Sequence, residues 1–170
     1  LAINFRFAIP GGAAEPFQLG SEAVLWWGTY RDTVRGRPAS SLLDRCRATK
    51  TCPKVMETFG SAEFWGLRMS PGLVGTGADA DIPLPPEVRR YYFPGVTHGG
   101  GRGGFDLNLK PPAGCALAAN PNSTAESMRA LRRALIDWVV KDAPPPESRY
   151  PLLQREELAA PDRRSMGFPA

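Results

Sequence analysis

The only histidine of the 170 residues, His98, lies between a candidate strand and a glycine-rich loop. Residues 88–93 are rich in β-branched and aromatic types and predict a strand, which Pro94 and Gly95 end. Behind His98, Gly99–Gly104 gives the backbone freedom to turn sharply. An imidazole displayed on a loop at a strand end suits proton transfer near neutral pH. His98 is therefore a candidate general base, and the alternative is an ordinary surface or packed histidine.

A candidate acid follows the preceding predicted strand. That strand covers 53–59 and ends at Gly60, and Glu63 comes three residues later in a predicted short helix, 61–68, with Ser61 as its N-cap. Residues just past the carboxyl ends of strands line the sites of open α/β sheets. Acid first and histidine second is the order that ends a Ser…Asp/Glu…His triad. The alternative is a helix N-terminal acid that the helix dipole favours.

Two other carboxylates compete for the acid role, and no nucleophile accompanies them. Glu57 lies inside the predicted strand, and Asp106 comes eight residues after His98, on the wrong side for this order. No serine lies in a Gly-x-Ser-x-Gly elbow. We therefore expect the nucleophilic serine upstream of these residues or on another chain.

The three cysteines favour an oxidising compartment. Cys46 and Cys52 bracket a five-residue loop, which predicts a small disulfide ring and an exported protein, periplasmic or secreted. Their spacing is too long for a C-x-x-C redox pair, and no second cluster completes a zinc site. Cys115 is left over and indicates either a partner outside this chain or a free thiol.

Composition excludes several classes of function. With 42% hydrophobic and 22% charged residues the chain is ordinary globular material, and its net charge of +4 comes from scattered arginines. Nucleic-acid binding would require a denser basic stripe. No run approaches the roughly 18 apolar residues of a membrane span. Nothing indicates a cofactor. The first seven residues lack an initiator Met and a signal-peptide layout, and we expect a fragment or a processed product.

The other elements are weaker, with one exception. Residues 3–9 alternate apolar types as in a short strand, a short helix is expected over 40–45 with Ser40 or Ser41 as cap, and 70–86 is expected to be loop. A helix is expected over about 124–141, with a capping box at 123–126. Its predicted apolar face consists of Met128, Leu131, Leu135, Trp138 and Val139.

The order of strand, helix, strand and long helix predicts an α/β fold with a parallel sheet. We divide the chain into a lead-in with a loop and helix region (1–52), the last strands and helix carrying the acid and the histidine (53–142), and a Pro-rich tail (143–170) that wraps the surface.

Five segments, taken in order, resemble an alpha/beta-hydrolase domain family of bacterial, often exported, proteins. They are Asn4–Pro10, Leu42–Val55, Ser61–Trp65, Val88–Gly99 and Pro144–Pro151. The resemblance implies the C-terminal half of the fold, with His98 as triad histidine and Glu63 as the acid of a Ser/Thr-x-Glu-aromatic-Trp stretch. It further implies a serine-type carboxylic ester hydrolase that acts on a small-molecule ester and needs an N-terminal half or second chain. By residue type, Trp26 and Trp27 are expected to be buried or to line a pocket. The substrate pocket is predicted to consist of Trp26, Trp27, Phe64, Trp65 and Gly99.

Three other interpretations use the same residues. His98–Gly101 spells the HGGG oxyanion motif of some esterases, but nothing downstream fits an elbow serine. Gly99–Gly104 also satisfies G-x-G-x-x-G, but no helix is predicted to open within it. The third alternative is a non-catalytic structural or ligand-binding module with the aromatic residues as stacking platforms. Such a module should tolerate loss of His98, whereas a hydrolase should not.

Overall fold

In the computed structural model, the residues described are 26–34, 36–65, 69–104, 110–160 and 164–165. The strand expected over 3–9 lies outside them. The elements are β1 (Tyr30–Arg31), β2 (Ala39–Ser40), α1 (Asp44–Thr49), β3 (Val55–Gly60), α2 (Ser61–Trp65), α3 (Pro71–Val74), β4 (Val88–Phe93), α4 (Ala125–Lys141) and a 3₁₀ turn (Leu153–Arg155). None of the helices in the described ranges has the length and apolar character that crossing a bilayer requires.

The central feature is the parallel pair of β3 and β4, in register from Val55 opposite Val88 to Gly60 opposite Phe93. This confirms the mixed α/β class with a parallel sheet. β1 and β2 form a separate, short antiparallel pair. Because β3 and β4 run side by side in the same direction, their carboxyl ends meet at one edge of the sheet.

Part of the Pro-rich tail continues this sheet. The Arg149 N–H donates to the Arg90 carbonyl at 2.9 Å, and the Tyr92 N–H donates to the Arg149 carbonyl at 2.7 Å, in a parallel bridge along β4. The Tyr91 hydroxyl also donates to the Pro146 carbonyl at 2.7 Å. The tail therefore does more than wrap the surface, because its backbone occupies the outer edge of β4.

α4 packs on one face of the pair through Trp138. Two cations contact the Trp138 ring, with Lys54 Nζ at 4.8 Å and Arg89 Cζ at 5.1 Å from its centroid. The buried face of α4 is narrower than expected, since Met128 is 41% and Val139 61% exposed. The sheet beneath consists of two described strands about 5 Å apart, and it covers only a narrow stripe of the helix.

The opposite face of the pair carries the main core. Its buried members are Trp26, Phe59, Met69, Leu73, Val74 and Ile82. The expectation of loop over 70–86 is wrong at α3, where Pro71 opens a short helix in the position that tolerates proline. The segment over 70–86 supplies three of the core side chains, Leu73, Val74 and Ile82. Leu73 and Val74 form a short apolar run within a sequence rich in glycine and proline. The Ile82 N–H donates to the Leu73 carbonyl at 2.8 Å.

The segment before β3 is fastened by a disulfide. Cys46 and Cys52 are bonded, with their Cα atoms 4.7 Å apart, and Cys115 is free and exposed. α1 begins at Asp44, later than expected, because Ser40 belongs to β2. Ser41 does act at its start, since the Leu43 N–H donates to the Ser41 hydroxyl at 3.0 Å.

Candidate active site

Glu63 and His98 meet at the carboxyl edge of the β3–β4 pair. β3 ends at Gly60 and β4 at Phe93, and these two residues are register partners. Glu63 follows in the first turn of α2, and His98 follows five residues after Phe93. The His98 Nδ1 atom and the Glu63 Oε1 atom form a hydrogen bond. The parallel register thus brings together the strand ends that precede two residues 35 positions apart.

Both oxygens of Glu63 have a defined partner. Oε1 contacts the imidazole, and Oε2 accepts the Gly60 N–H at 2.7 Å. The second bond is the reciprocal half of a capping box, in which an acid in the first helical turn returns to the backbone before the helix. Glu63 is thus both a helix N-terminal acid and the partner of His98, so the two interpretations of this residue are compatible.

The histidine and its acid differ sharply in exposure. The side chain of His98 is 75% exposed, whereas that of Glu63 is 6% exposed. With the carboxylate at Nδ1, the neutral imidazole carries its proton on Nδ1 and has its lone pair on Nε2. Within the part of the chain that the structure describes, Nε2 has no hydrogen-bond partner. This arrangement can take a proton from a group that approaches from outside.

Gly60 allows the close approach that the site requires. A Cβ atom at this position would lie 2.9 Å from the Val96 carbonyl oxygen and 3.3 Å from Glu63 Oε2. The strand end, the backbone leading to His98 and the acid converge on this one residue. A glycine is needed here for space, since any side chain would push the acid and the histidine backbone apart.

The glycine loop behind His98 packs against the segment that leads into α4. The N–H groups of Gly100, Gly101 and Gly103 donate to the carbonyls of Thr97, Asn122 and Pro121, at 2.9, 2.7 and 2.9 Å. Amides that are already bonded to carbonyls are not available to an oxyanion or a phosphate. The loop geometry therefore does not support the HGGG interpretation or the dinucleotide interpretation.

The predicted pocket residues lie in different surroundings. Trp26 is buried in the core, where its indole N–H donates to the Ser40 carbonyl at 2.7 Å. Trp27 and Phe64 are half-buried and pack against that core, and Phe64 stacks with Phe59 at 6.4 Å between ring centroids. Gly99 is exposed with open space around its Cα. The side chain of Trp65 lies outside the described residues, and pocket lining by these five residues stays a prediction.

The competing acids and the spare cysteine take no part in this contact. Glu57 is buried and bonded to Arg90 at 2.5 Å, and Asp106 lies outside the described residues. Within the described ranges, no three His, Cys, Asp or Glu side chains come together as a metal-binding group. Ser61, the predicted N-cap, is instead the first helical residue, and its hydroxyl bonds Tyr92 and Gly95.

Comparison with known proteins identifies a family for the chain. The family model described as alpha/beta hydrolase domain matches residues 11–167. No curated protein and no solved structure matches the chain significantly. The family match covers most of the 170 residues and includes the parallel strands, the acid and the histidine. The chain belongs to the alpha/beta hydrolase domain family.

Proposed function

We propose that the chain supplies the acid and the base of a serine-type carboxylic ester hydrolase. The observation that carries the proposal is the hydrogen bond between a buried Glu63 carboxylate and an exposed His98 imidazole. In a triad the acid must be held still and the base must be reachable. The family match supports hydrolase chemistry in general.

Each residue then has a defined role. His98 Nε2 takes the proton of the serine hydroxyl as the serine oxygen bonds to the ester carbonyl carbon. The resulting imidazolium, stabilised by Glu63, returns that proton to the alcohol oxygen as the C–O bond breaks, which leaves an acyl-serine. A water molecule then gives its proton to His98 and attacks the acyl carbon, and the proton passes to the serine oxygen as the acid leaves.

The nucleophile and the oxyanion donors come from outside these residues in this proposal. The sequence contains no Gly-x-Ser-x-Gly elbow, and the loop amides of Gly100, Gly101 and Gly103 are bonded to carbonyls. An upstream segment or a second chain therefore brings the serine to Nε2. The Cys46–Cys52 disulfide supports an exported protein, periplasmic or secreted.

Covalent labelling with a fluorophosphonate probe tests the proposal. The probe is applied to the protein as isolated from its native source, and intact mass identifies the labelled polypeptide. We expect a serine outside these 170 residues to take the label, and His98→Ala to abolish the labelling. Thr97→Ala is the matched control, since Thr97 is the exposed neighbour of His98 and contributes only its carbonyl to the loop. Labelling of His98→Ala at the wild-type rate would refute the proposal.

A further inference from the structure

The backbone turn that precedes His98 is held on both sides by side chains. Gly95 adopts a positive φ of 70°, and its N–H donates to the Ser61 hydroxyl oxygen at 2.8 Å. Its carbonyl oxygen accepts from the Asn120 side-chain amide. One residue later, the Val96 carbonyl accepts the Ala62 N–H at 3.3 Å. The path from β4 to His98 is therefore tied to α2 on one side and to the α4 lead-in on the other.

Ser61 is not placed as a nucleophile, although it follows a strand and a glycine. Its hydroxyl accepts the Gly95 N–H at 2.8 Å and forms a hydrogen bond with the Tyr92 hydroxyl at 2.9 Å. These two hydrogen bonds hold the hydroxyl in a fixed orientation. The group is thus directed at the end of β4 and serves the backbone there.

We propose that Ser61 and Asn120 are positioning residues, which fix the Gly95 turn so that the imidazole of His98 meets Glu63. Ser61 and Glu63 lie two residues apart in the same turn of α2. The helix that carries Glu63 therefore also binds the backbone that leads to His98. The distance between the Glu63 carboxylate and the His98 imidazole is thus set by contacts within this region. The catalytic consequence rests on the proposed function, whereas the positioning itself does not.

Nuclear magnetic resonance of the single histidine tests the positioning directly. In protein with ¹⁵N-labelled histidine, the signals of His98, the single histidine of these 170 residues, are identified by their loss in His98→Ala. At a pH where the ring is neutral, the wild type should carry its proton on Nδ1 in a hydrogen bond, because the partner of one nitrogen sets the tautomer. Ser61→Ala and Asn120→Asp should each move the ring to a mixture of tautomers and lose that proton signal. Asn120→Asp removes the donor to Gly95 but keeps the oxygen that accepts the Asn122 N–H.

Two further variants separate positioning from general damage to the fold. Ser61→Thr keeps a hydroxyl and should restore the wild-type imidazole signals, and Ser127→Ala, on the exposed surface of α4, should leave them unchanged. If Ser61→Ala and Asn120→Asp fold and keep the wild-type tautomer, the inference is wrong. If they unfold and Ser61→Thr does not restore the signals, it is equally wrong.

Labelling distinguishes this inference from the proposed function. A loosened turn should slow fluorophosphonate labelling by a factor of about 10², the scale of a misplacement of about 1 Å. If the imidazole signals change in Ser61→Ala while labelling is unaffected, positioning stands and the catalytic role of His98 fails. If the wild type itself lacks the Nδ1 proton signal, positioning fails irrespective of labelling.

Discussion

The β3–β4 pair brings a carboxylate together with a basic side chain at two places, in its interior and at its carboxyl edge. In the interior, Glu57 and Arg90 are register partners, with Nε and Oε2 2.5 Å apart and side chains 6% and 1% exposed. At the edge, Glu63 is as buried as Glu57, but its partner His98 is 75% exposed. The two acids are alike in burial and differ in the base that each one faces.

The difference in the basic partner gives the two carboxylates different roles, one structural and one suited to proton transfer. The guanidinium of Arg90 stays protonated and is enclosed, with the Tyr150 ring 5.1 Å from its Cζ, so it cannot exchange a proton with a substrate. An imidazole can gain and lose a proton near neutrality, and this one is open to solvent. A buried carboxylate therefore marks a catalytic site only where its base can titrate and can be reached.

Neutralising the edge acid should have the largest effect on reactivity. Glu63→Gln keeps an oxygen for the Gly60 N–H but loses the charge that holds the tautomer and stabilises the imidazolium. We expect the labelling rate to fall by about 10⁴-fold, while the free energy of unfolding falls by about 1–3 kcal/mol because a buried hydrogen-bond partner is altered. Stopped-flow labelling and urea denaturation measure the two effects. Glu147→Gln, at an exposed acid, is the control, and a labelling rate within tenfold of wild type would contradict the role of Glu63.

Removing Arg90, the basic side chain of the interior pair, should mainly reduce stability. Arg90→Ala leaves the Glu57 carboxylate buried and uncompensated, and we expect the free energy of unfolding to fall by about 3–5 kcal/mol. The double variant Glu57→Leu, Arg90→Met removes both charges and should restore most of the stability. His98→Ala should change stability by about 0.5 kcal/mol or less, since its side chain is exposed. Equal losses in Arg90→Ala and His98→Ala would erase the distinction between the two pairs.

Two glycines offer a matched test of the geometry around the edge pair. Gly60→Ala introduces a methyl group 2.9 Å from the Val96 oxygen, and we expect a loss of about 1–3 kcal/mol together with slower labelling. Gly99→Ala meets no atom within 4 Å and should leave both quantities close to wild type. Thermal denaturation and labelling of the two variants side by side provide the measurement. A Gly60→Ala variant as stable and reactive as Gly99→Ala would disprove the crowding at Gly60.

The smallest effect concerns alkaline stability beside the interior pair. Burial raises the pKa of Tyr150 above its ordinary value of 10.0, although the Arg90 guanidinium opposes this. The folded state therefore prefers the neutral phenol, and its stabilising contribution is complete below pH 10 and lost as the pH rises through the folded pKa. We expect Tyr150→Phe to flatten the decline of the unfolding free energy above about pH 10. An unchanged slope in urea titrations would exclude Tyr150 as its source.

Local patterns predicted the elements that carry the site better than they predicted its supports. The strand over 88–93 is β4, and the helix over about 124–141 is present as Ala125–Lys141. Residue type and periodicity were sufficient for these. The order of Glu63 and His98 after consecutive strands predicts that they line one site, and the structure brings them into hydrogen-bond contact. The supports depend on contacts between distant segments. Neither the Arg90–Glu57 pair nor the bond between Asn120 and Gly95 has a local signature.

The boundaries that were misjudged have a common physical cause. Ser61 has the residue type of a helix cap, but the neighbouring β4 end offers its hydroxyl better partners. The loop over 70–86 was predicted from its glycines and prolines, whereas burial of Leu73 and Val74 stabilises a four-residue helix there. Packing against other parts of the chain outweighs a weak local preference in both cases.

The tail segment around Arg149 has a consequence for how the sheet can be enlarged. Its backbone makes two hydrogen bonds to β4, one to the Arg90 carbonyl and one from the Tyr92 N–H. Among the described residues, the β4 edge is therefore partly covered by the tail, whereas no described strand pairs with the far edge of β3. The tail thus covers part of the β4 edge, and among the described residues a new strand could pair along β3, which leads to Glu63.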